Sequence, residues 1–235
     1  MSLLPLLLGV VAAVGNLLGA AVVVKRAPTG LRFIETMLAF GAGFMLAVVL
    51  VGVLPVLRFS GITTGITILA GYLAVHLAHH VVVPHFHFGE ETHSISPAIG
   101  TSALIGLSIH SFFDGVAIAS GLQANAALGL MLFLSVLLHK LPEGVTIASV
   151  VMAGGQPGAQ AFRAALGLGA ATVLGVVLTE VAAPLATHGL ALAAGATLYV
   201  AASNLVPEFQ NKRRMDLTFS FFGGALAVIL LEMWK

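Results

Sequence analysis

Cysteine is absent from the 235 residues. Disulfides and thiolate metal sites are thereby excluded, and His, Asp, Glu, Asn, Ser and Met are left as the available metal ligands. Charge is nearly as scarce. Asp, Glu, Lys and Arg make up 8% of the chain, against about 25% in soluble domains, while 59% is hydrophobic and the mean hydropathy is +1.07. Such a chain is an integral membrane protein. The net charge of +1 provides no basic surface, so nucleic acid is not expected as a partner. No phosphate loop of the form GxxxxGK[ST] occurs, which argues against ATP-driven transport by this chain alone. Aromatic residues total 7% and Trp234 is the only tryptophan, a poor setting for a retinal-type receptor with Lys140 as its Schiff base.

What remains is long apolar runs. A helix needs about 20 mainly apolar residues to cross a bilayer, so 235 residues allow about eight crossings with short loops and leave no room for a soluble domain. Runs broken by Gly, Pro and charge place spans near 3 to 24, 33 to 57, 61 to 83, 99 to 121, 126 to 153, 162 to 183, 188 to 208 and 217 to 234. The first has no basic residue ahead of it and exceeds a signal-peptide core in length, so it is read as a retained span. The expected fold is an all-α integral membrane bundle of eight helices, one domain over 1–235. Lys25, Arg26, Arg32, Arg163, Lys212, Arg213 and Arg214 flank alternate connections, and only Arg58 and Lys235 fall on the other side. Basic residues mark the cytoplasmic side, so both termini are expected outside, at the cell membrane.

Two segments carry the chemistry. "HSFFDGVAIAS" (110–120) and "HKLPEGVTIAS" (139–149) share the pattern H-x-x-x-[DE]-G-V-x-I-A-S. Residues four apart lie on one helical face about 6 Å apart along the axis, so His110 with Asp114, and His139 with Glu143, each aim at one point. A carboxylate at the bilayer centre costs at least about 2.5–3.5 kcal/mol, so such groups face an ion, a partner or a polar cavity. The short "LQANAA" connection makes the two helices antiparallel. Antiparallel copies imply an inverted repeat, with a site shared by helices four and five. Pro142 frees a carbonyl near residue 138, and Gly115 and Gly144 permit close helix approach.

Further polar candidates are Glu180 in span six and Asn204 and Glu208 near the end of span seven. Met45 in "GAGFM" reads either as packing or as a ligand. The connection "HLAHHVVVPHFHFGEETH" holds six of the nine histidines, His76, His79, His80, His85, His87 and His93, and suits weak divalent-metal handling over about 76–98. Imidazole plus carboxylate without thiolate fits Zn²⁺, Fe²⁺, Mn²⁺ or Cd²⁺ better than Cu⁺, and differs from the all-oxygen sites of Mg²⁺ and Ca²⁺.

On these residues the chain resembles the ZIP (Zrt/Irt-like) family of divalent metal transporters, of the bacterial type. "HSFFDG" is similar to the family's H-N-x-x-[DE]-G and "HKLPEG" to its H-x-x-P-E-G. The resemblance implies metal uptake toward the cytoplasm, with His110, Asp114, His139, Glu143 and Glu180 at ligand positions and Met45 placed to reach them. It implies spans one, four, five and six sliding against two, three, seven and eight, and it accommodates a homodimer. The metal is then substrate and no cofactor is expected.

Three departures stand out. Ser111 replaces the family's Asn and Lys140 a residue that is often Asn or Asp, both positions that help bind a second ion there. The expectation is that the Lys140 ammonium replaces that second cation. "VGVLPV" puts Gly52 and Val56 where the family often has His or Glu, and Asn204 stands where "ELIPE"-like members have Glu. The main rival is an intramembrane zinc-dependent hydrolase, against which stand the repeat and the lack of a separate nucleophile.

Overall fold

The computed structural model describes residues 3–25, 31–57, 61–78, 97–210, 212 and 214–234. Among them every regular element is helical. α1 is Leu3–Lys25 and α2 begins as Leu31–Ala47, passes through a π-helical stretch at Val48–Val53 and ends as Leu54–Leu57. α3 is Ile62–Leu77, α4 Pro97–Ala124, α5 Ala126–Ala153 and α6 Gly158–Val181. α7 runs from Ala183–Tyr199 through a second π stretch, Val200–Leu205, into Val206–Gln210, and α8 is Met215–Met233. Seven helices are long and apolar enough to cross a membrane, and α3 is a shorter apolar one. Each of the eight expected spans falls on one of these helices, the third of them described only as far as residue 78.

The boundaries differ where proline was read as punctuation. α7 begins at Ala183 rather than near 188, because Pro184 sits in the first turn, where a missing N–H costs nothing. The π stretches were not anticipated. Each lies just ahead of a proline, Pro55 or Pro207. Wider turns there pass Leu54 N–H to the Val49 carbonyl and Val206 N–H to the Ala201 carbonyl, one residue further back than in an α-helix.

Glycine sets how the helices meet. A Cβ on Gly43 would run into the Phe221 carbonyl, and one on Gly224 into that of Phe40, so α2 and α8 pack backbone to backbone. The same reciprocal pair joins α7 and α3, with Gly195 against Ile68 and Gly71 against Leu192. In the other half of the bundle, Gly19 meets Leu141 and Gly144 meets Asn16 between α1 and α5, and Gly175 meets Phe112 and Gly115 meets Thr172 between α6 and α4. Small residues drive such association in membranes, where no hydrophobic effect separates helix from lipid. Exchanging α1 with α6, α2 with α7, α3 with α8 and α4 with α5 maps these contacts onto one another, and maps one π stretch onto the other. This is the inverted repeat at residue level.

At the basic end of the bundle an ion-pair network ties α2 to the start of α8. Lys212 Nζ lies 2.6 Å from Glu35 Oε1, Arg214 pairs with both Glu35 and Asp216, and Arg32 reaches Asp216 at 3.2 Å.

Gly43→Leu or Gly195→Leu should destabilise the bundle by more than the ~1–3 kcal/mol usual for overpacking, because backbone rather than a side chain stands in the way. Gly65→Ala, where a Cβ meets nothing within 4 Å, should stay within about 0.5 kcal/mol of the parent. Thermal unfolding of purified protein in detergent separates the two outcomes.

Candidate metal centre

The site forms where the α4–α5 hairpin doubles back. Asn125 alone joins the two helices, and its side chain accepts from Leu128 N–H at 2.8 Å to cap α5. Gly121 and Gly129 let the helices close immediately beyond the turn. That register brings His110, Asp114, His139 and Glu143 together, all buried, with one candidate ligand atom from each lying within 4.8 Å of the others. The two imidazole rings lie 5.3 Å apart, centroid to centroid.

Asp114 Oδ2 is the hub. His110 Nε2 stands 3.4 Å from it, His139 Nε2 3.3 Å and Lys140 Nζ 2.8 Å. His139 Nδ1 lies 2.9 Å from the Ser135 carbonyl, which can only accept, so that nitrogen carries a proton, and Nε2 is the ring nitrogen turned to the site, 3.3 Å from Asp114 Oδ2. His110 Nδ1 is buried with no hydrogen-bond partner, a ring nitrogen aimed at nothing the protein supplies. A group placed in this way could hold a metal ion.

Lys140 occupies the middle. Its ammonium donates to Asp114 Oδ2 at 2.8 Å, to Glu143 Oε2 at 2.6 Å and to Ser111 Oγ at 2.8 Å, using all three hydrogens, and the residue has 0% exposure. Ser111 in turn donates to Glu143 Oε1 at 2.6 Å. Two carboxylates and one ammonium leave a single negative charge when both imidazoles are neutral. The outward snorkelling open to a lysine near a membrane surface is not what this one does.

Asn204 also reaches the site. With Leu38, Leu107, His110, His139, Glu143, Val200 and Leu205 it lines a cavity of about 20 Å³, room for about one water or a bare ion. The cavity lies toward the end of the bundle where α2 and α4 begin and α7 finishes, the end that carries Lys25, Arg32, Lys212 and Arg214. On the other side of these four side chains an apolar cluster that includes Phe44, Val48, Val53, Val116, Leu128 and Leu132 fills the interior.

Other candidates fall elsewhere. Glu180 is not in the four-residue group. α6 presents Thr172, Gly175 and Val176 to α4 beside the site, and Glu180, about one turn further on, lies 3.3 Å from Gln123 Nε2 at the far end of α4. Met45 is buried among Ala42, Val75, Ala196, Tyr199 and Leu205, between α2, α3 and α7. His76 ends α3 with its ring 5.6 Å from that of Tyr199, and Tyr72 Oη lies 2.9 Å from Ser203 Oγ. His79, His80, His85, His87 and His93, and the side chain of Glu208, lie outside the described residues. Sequence reasoning missed Asn16. It lies alone among apolar residues of α1 in "VGNLLG", the one signal that could have singled it out.

The family model described as ZIP Zinc transporter matches residues 85–232, well over half of the chain and all of both paired motifs. The chain belongs to this family. No curated protein matches it. ZIP proteins are divalent metal transporters, so the buried His/Asp/His/Glu group belongs to a multi-pass membrane protein whose metal is substrate rather than cofactor.

Lys140→Met should leave Asp114 and Glu143 facing each other without a counter-charge. Removing one partner of a buried pair costs about 3–5 kcal/mol. The metal-free variant should therefore melt well below the parent, and millimolar Co²⁺ or Zn²⁺ should raise its melting temperature more than that of the parent.

Proposed function

We propose that the protein takes up a divalent transition metal, zinc foremost and with Fe²⁺, Mn²⁺ and Cd²⁺ compatible, by alternating access around His110, Asp114, His139 and Glu143. The observation that carries this reading is the convergence of two imidazoles and two carboxylates from both repeat halves within 4.8 Å, inside a ZIP-family membrane bundle. A hydrated ion entering the site exchanges water for these side chains. With Nδ1 bonded to the Ser135 carbonyl, Nε2 is the nitrogen that His139 offers the ion. The borderline character of the donor set selects against both Cu⁺ and the hard alkaline-earth ions.

The basic end of the bundle is the cytoplasmic one in this reading, as the distribution of Lys and Arg implies, with both termini outside. The cavity past Asn204 is then the inward route, and the apolar cluster around Val48, Val116 and Leu132 closes the outward side. Metal leaving inward emerges at the end of the bundle where α3 ends and α4 begins, and the sequence that joins them carries the histidines suited to weak metal handling. The whole chain acts as one transport domain, and the family resemblance accommodates a homodimer.

Lys140 sets the stoichiometry at one ion. With the ammonium in place, one divalent ion brings the centre to a single positive charge and a second would bring it to three, deep in a low-dielectric interior. In Lys140→Asp two ions reach the same single positive charge that one ion reaches in the parent. Equilibrium binding counted by metal analysis should find one ion per chain in the parent and two in Lys140→Asp. One ion in both would remove the substitution of ammonium for metal.

Uptake of Zn²⁺ into proteoliposomes tests the function itself. Saturable flux that is lost in His139→Ala and in Glu143→Ala is the expected result. Tight stoichiometric zinc binding with no flux under any gradient would turn the assignment to a membrane metallohydrolase.

A further inference from the structure

A third helix reaches the centre. Asn16 lies in α1 with 0% exposure, at the crossing where Gly144 of α5 leaves room for its backbone. With its amide nitrogen turned toward α5 it donates to Glu143 Oε2 at 3.2 Å and to the Lys140 carbonyl at 2.7 Å. A buried amide in lipid must find partners within the protein, and this orientation meets both acceptors. Glu143 is then held at both oxygens, by Ser111 on Oε1 and by Lys140 and Asn16 on Oε2. In the other half of the repeat the position of Asn16 is taken by Thr172, whose hydroxyl turns back to the Leu168 carbonyl of its own helix at 3.3 Å. The two carboxylates that the repeat relates are thus held differently, Glu143 with a donor from a third helix and Asp114 without one from Thr172.

We propose that Asn16 is a positioning residue for metal binding, fixing the Glu143 carboxylate so that it meets an incoming divalent cation in one preset orientation. The inference rests on the reading of His110, Asp114, His139 and Glu143 as the metal site. Asn16 itself is no ligand in this arrangement. Its amide nitrogen has no lone pair to offer a metal, and its effect passes through Glu143. The bond to the Lys140 carbonyl clamps α1 on α5, so the helix that carries Asn16 and the helix that carries Glu143 keep one register as the site works.

The test uses the full-length protein in detergent, with Co²⁺ as a probe whose visible ligand-field bands report coordination geometry. Parent, Asn16→Leu and Thr172→Val are titrated side by side, and their thermal midpoints are recorded. Asn16→Leu keeps the number of side-chain heavy atoms and removes the donor, and Asn16→Ala gives the same loss of donor if the leucine variant fails to fold. The expected result is a rise in the Co²⁺ dissociation constant of about tenfold to a hundredfold, the scale of a hydrogen bond to a charged group, with shifted bands, in the Asn16 variant alone. An Asn16 variant that melts lower yet binds Co²⁺ with the parent's affinity and spectrum would reduce Asn16 to a structural clamp and overturn the proposal. A parent that binds no Co²⁺ or Zn²⁺ would overturn the metal-site reading, and this inference with it.

Discussion

The structure turns on one constraint, the placing of two carboxylates where water cannot reach them. Asp114 and Glu143 would each cost several kcal/mol in hydrocarbon. Their cost is offset by an ammonium that spends every hydrogen on the site, donating to both carboxylates and to Ser111. The surrounding architecture follows from that need. Lys140 meets Glu143 along its own helix and reaches Asp114 because α4 and α5 are separated by a single residue and pressed together at Gly121 and Gly129. α1 and α6 in turn seat on α5 and α4 through Gly19, Gly144, Gly115 and Gly175, which sheathe the charged centre in backbone and small side chains.

The duplication explains the position of the centre and its departures explain the chemistry. The reciprocal glycine contacts on one half have their counterparts on the other, and the pairs His110/Asp114 and His139/Glu143 meet where the halves meet. A perfectly symmetric site would present the same face to both sides of the membrane. Here Asn204 opens a cavity on one side, and its counterpart in α2 is Gly52, buried beneath the apolar cluster on the other. Ser111 corresponds to Lys140 and Thr172 to Asn16. At each of these positions the sequence breaks the repeat, and each break changes a charge or a donor at the site.

Much of this was legible in the residues. Eight apolar runs give the spans, and histidine and carboxylate four apart on antiparallel helices give the four side chains of the candidate site, because both signals lie along one helix. Relations between helices were not legible in the same way. Glu180 has the composition of a ligand, and only the packing of Gly175 against Phe112 shows that α6 carries it about one turn beyond the residues facing α4 at the site, beside Gln123. Asn16 looks like an isolated polar residue until α1 is docked on α5. Pro55 and Pro207 read as breaks, whereas the helices absorb them by widening the turns before them. Pro184, likewise, starts a helix rather than separating two.

The spacing of Lys140 and Glu143 also bears on how the chain enters the bilayer. The two are three residues apart on α5, in direct contact at 2.6 Å, so the acidic residue of this span carries its own counter-charge before any neighbouring helix has docked. Asp114 arrives one helix earlier and waits only for the hairpin to close at Asn125. During biogenesis the segment passing from the translocation machinery into lipid is therefore close to electrically neutral, whatever the supply of metal. A metal transporter built in this way can complete the insertion of that span without the ion it carries.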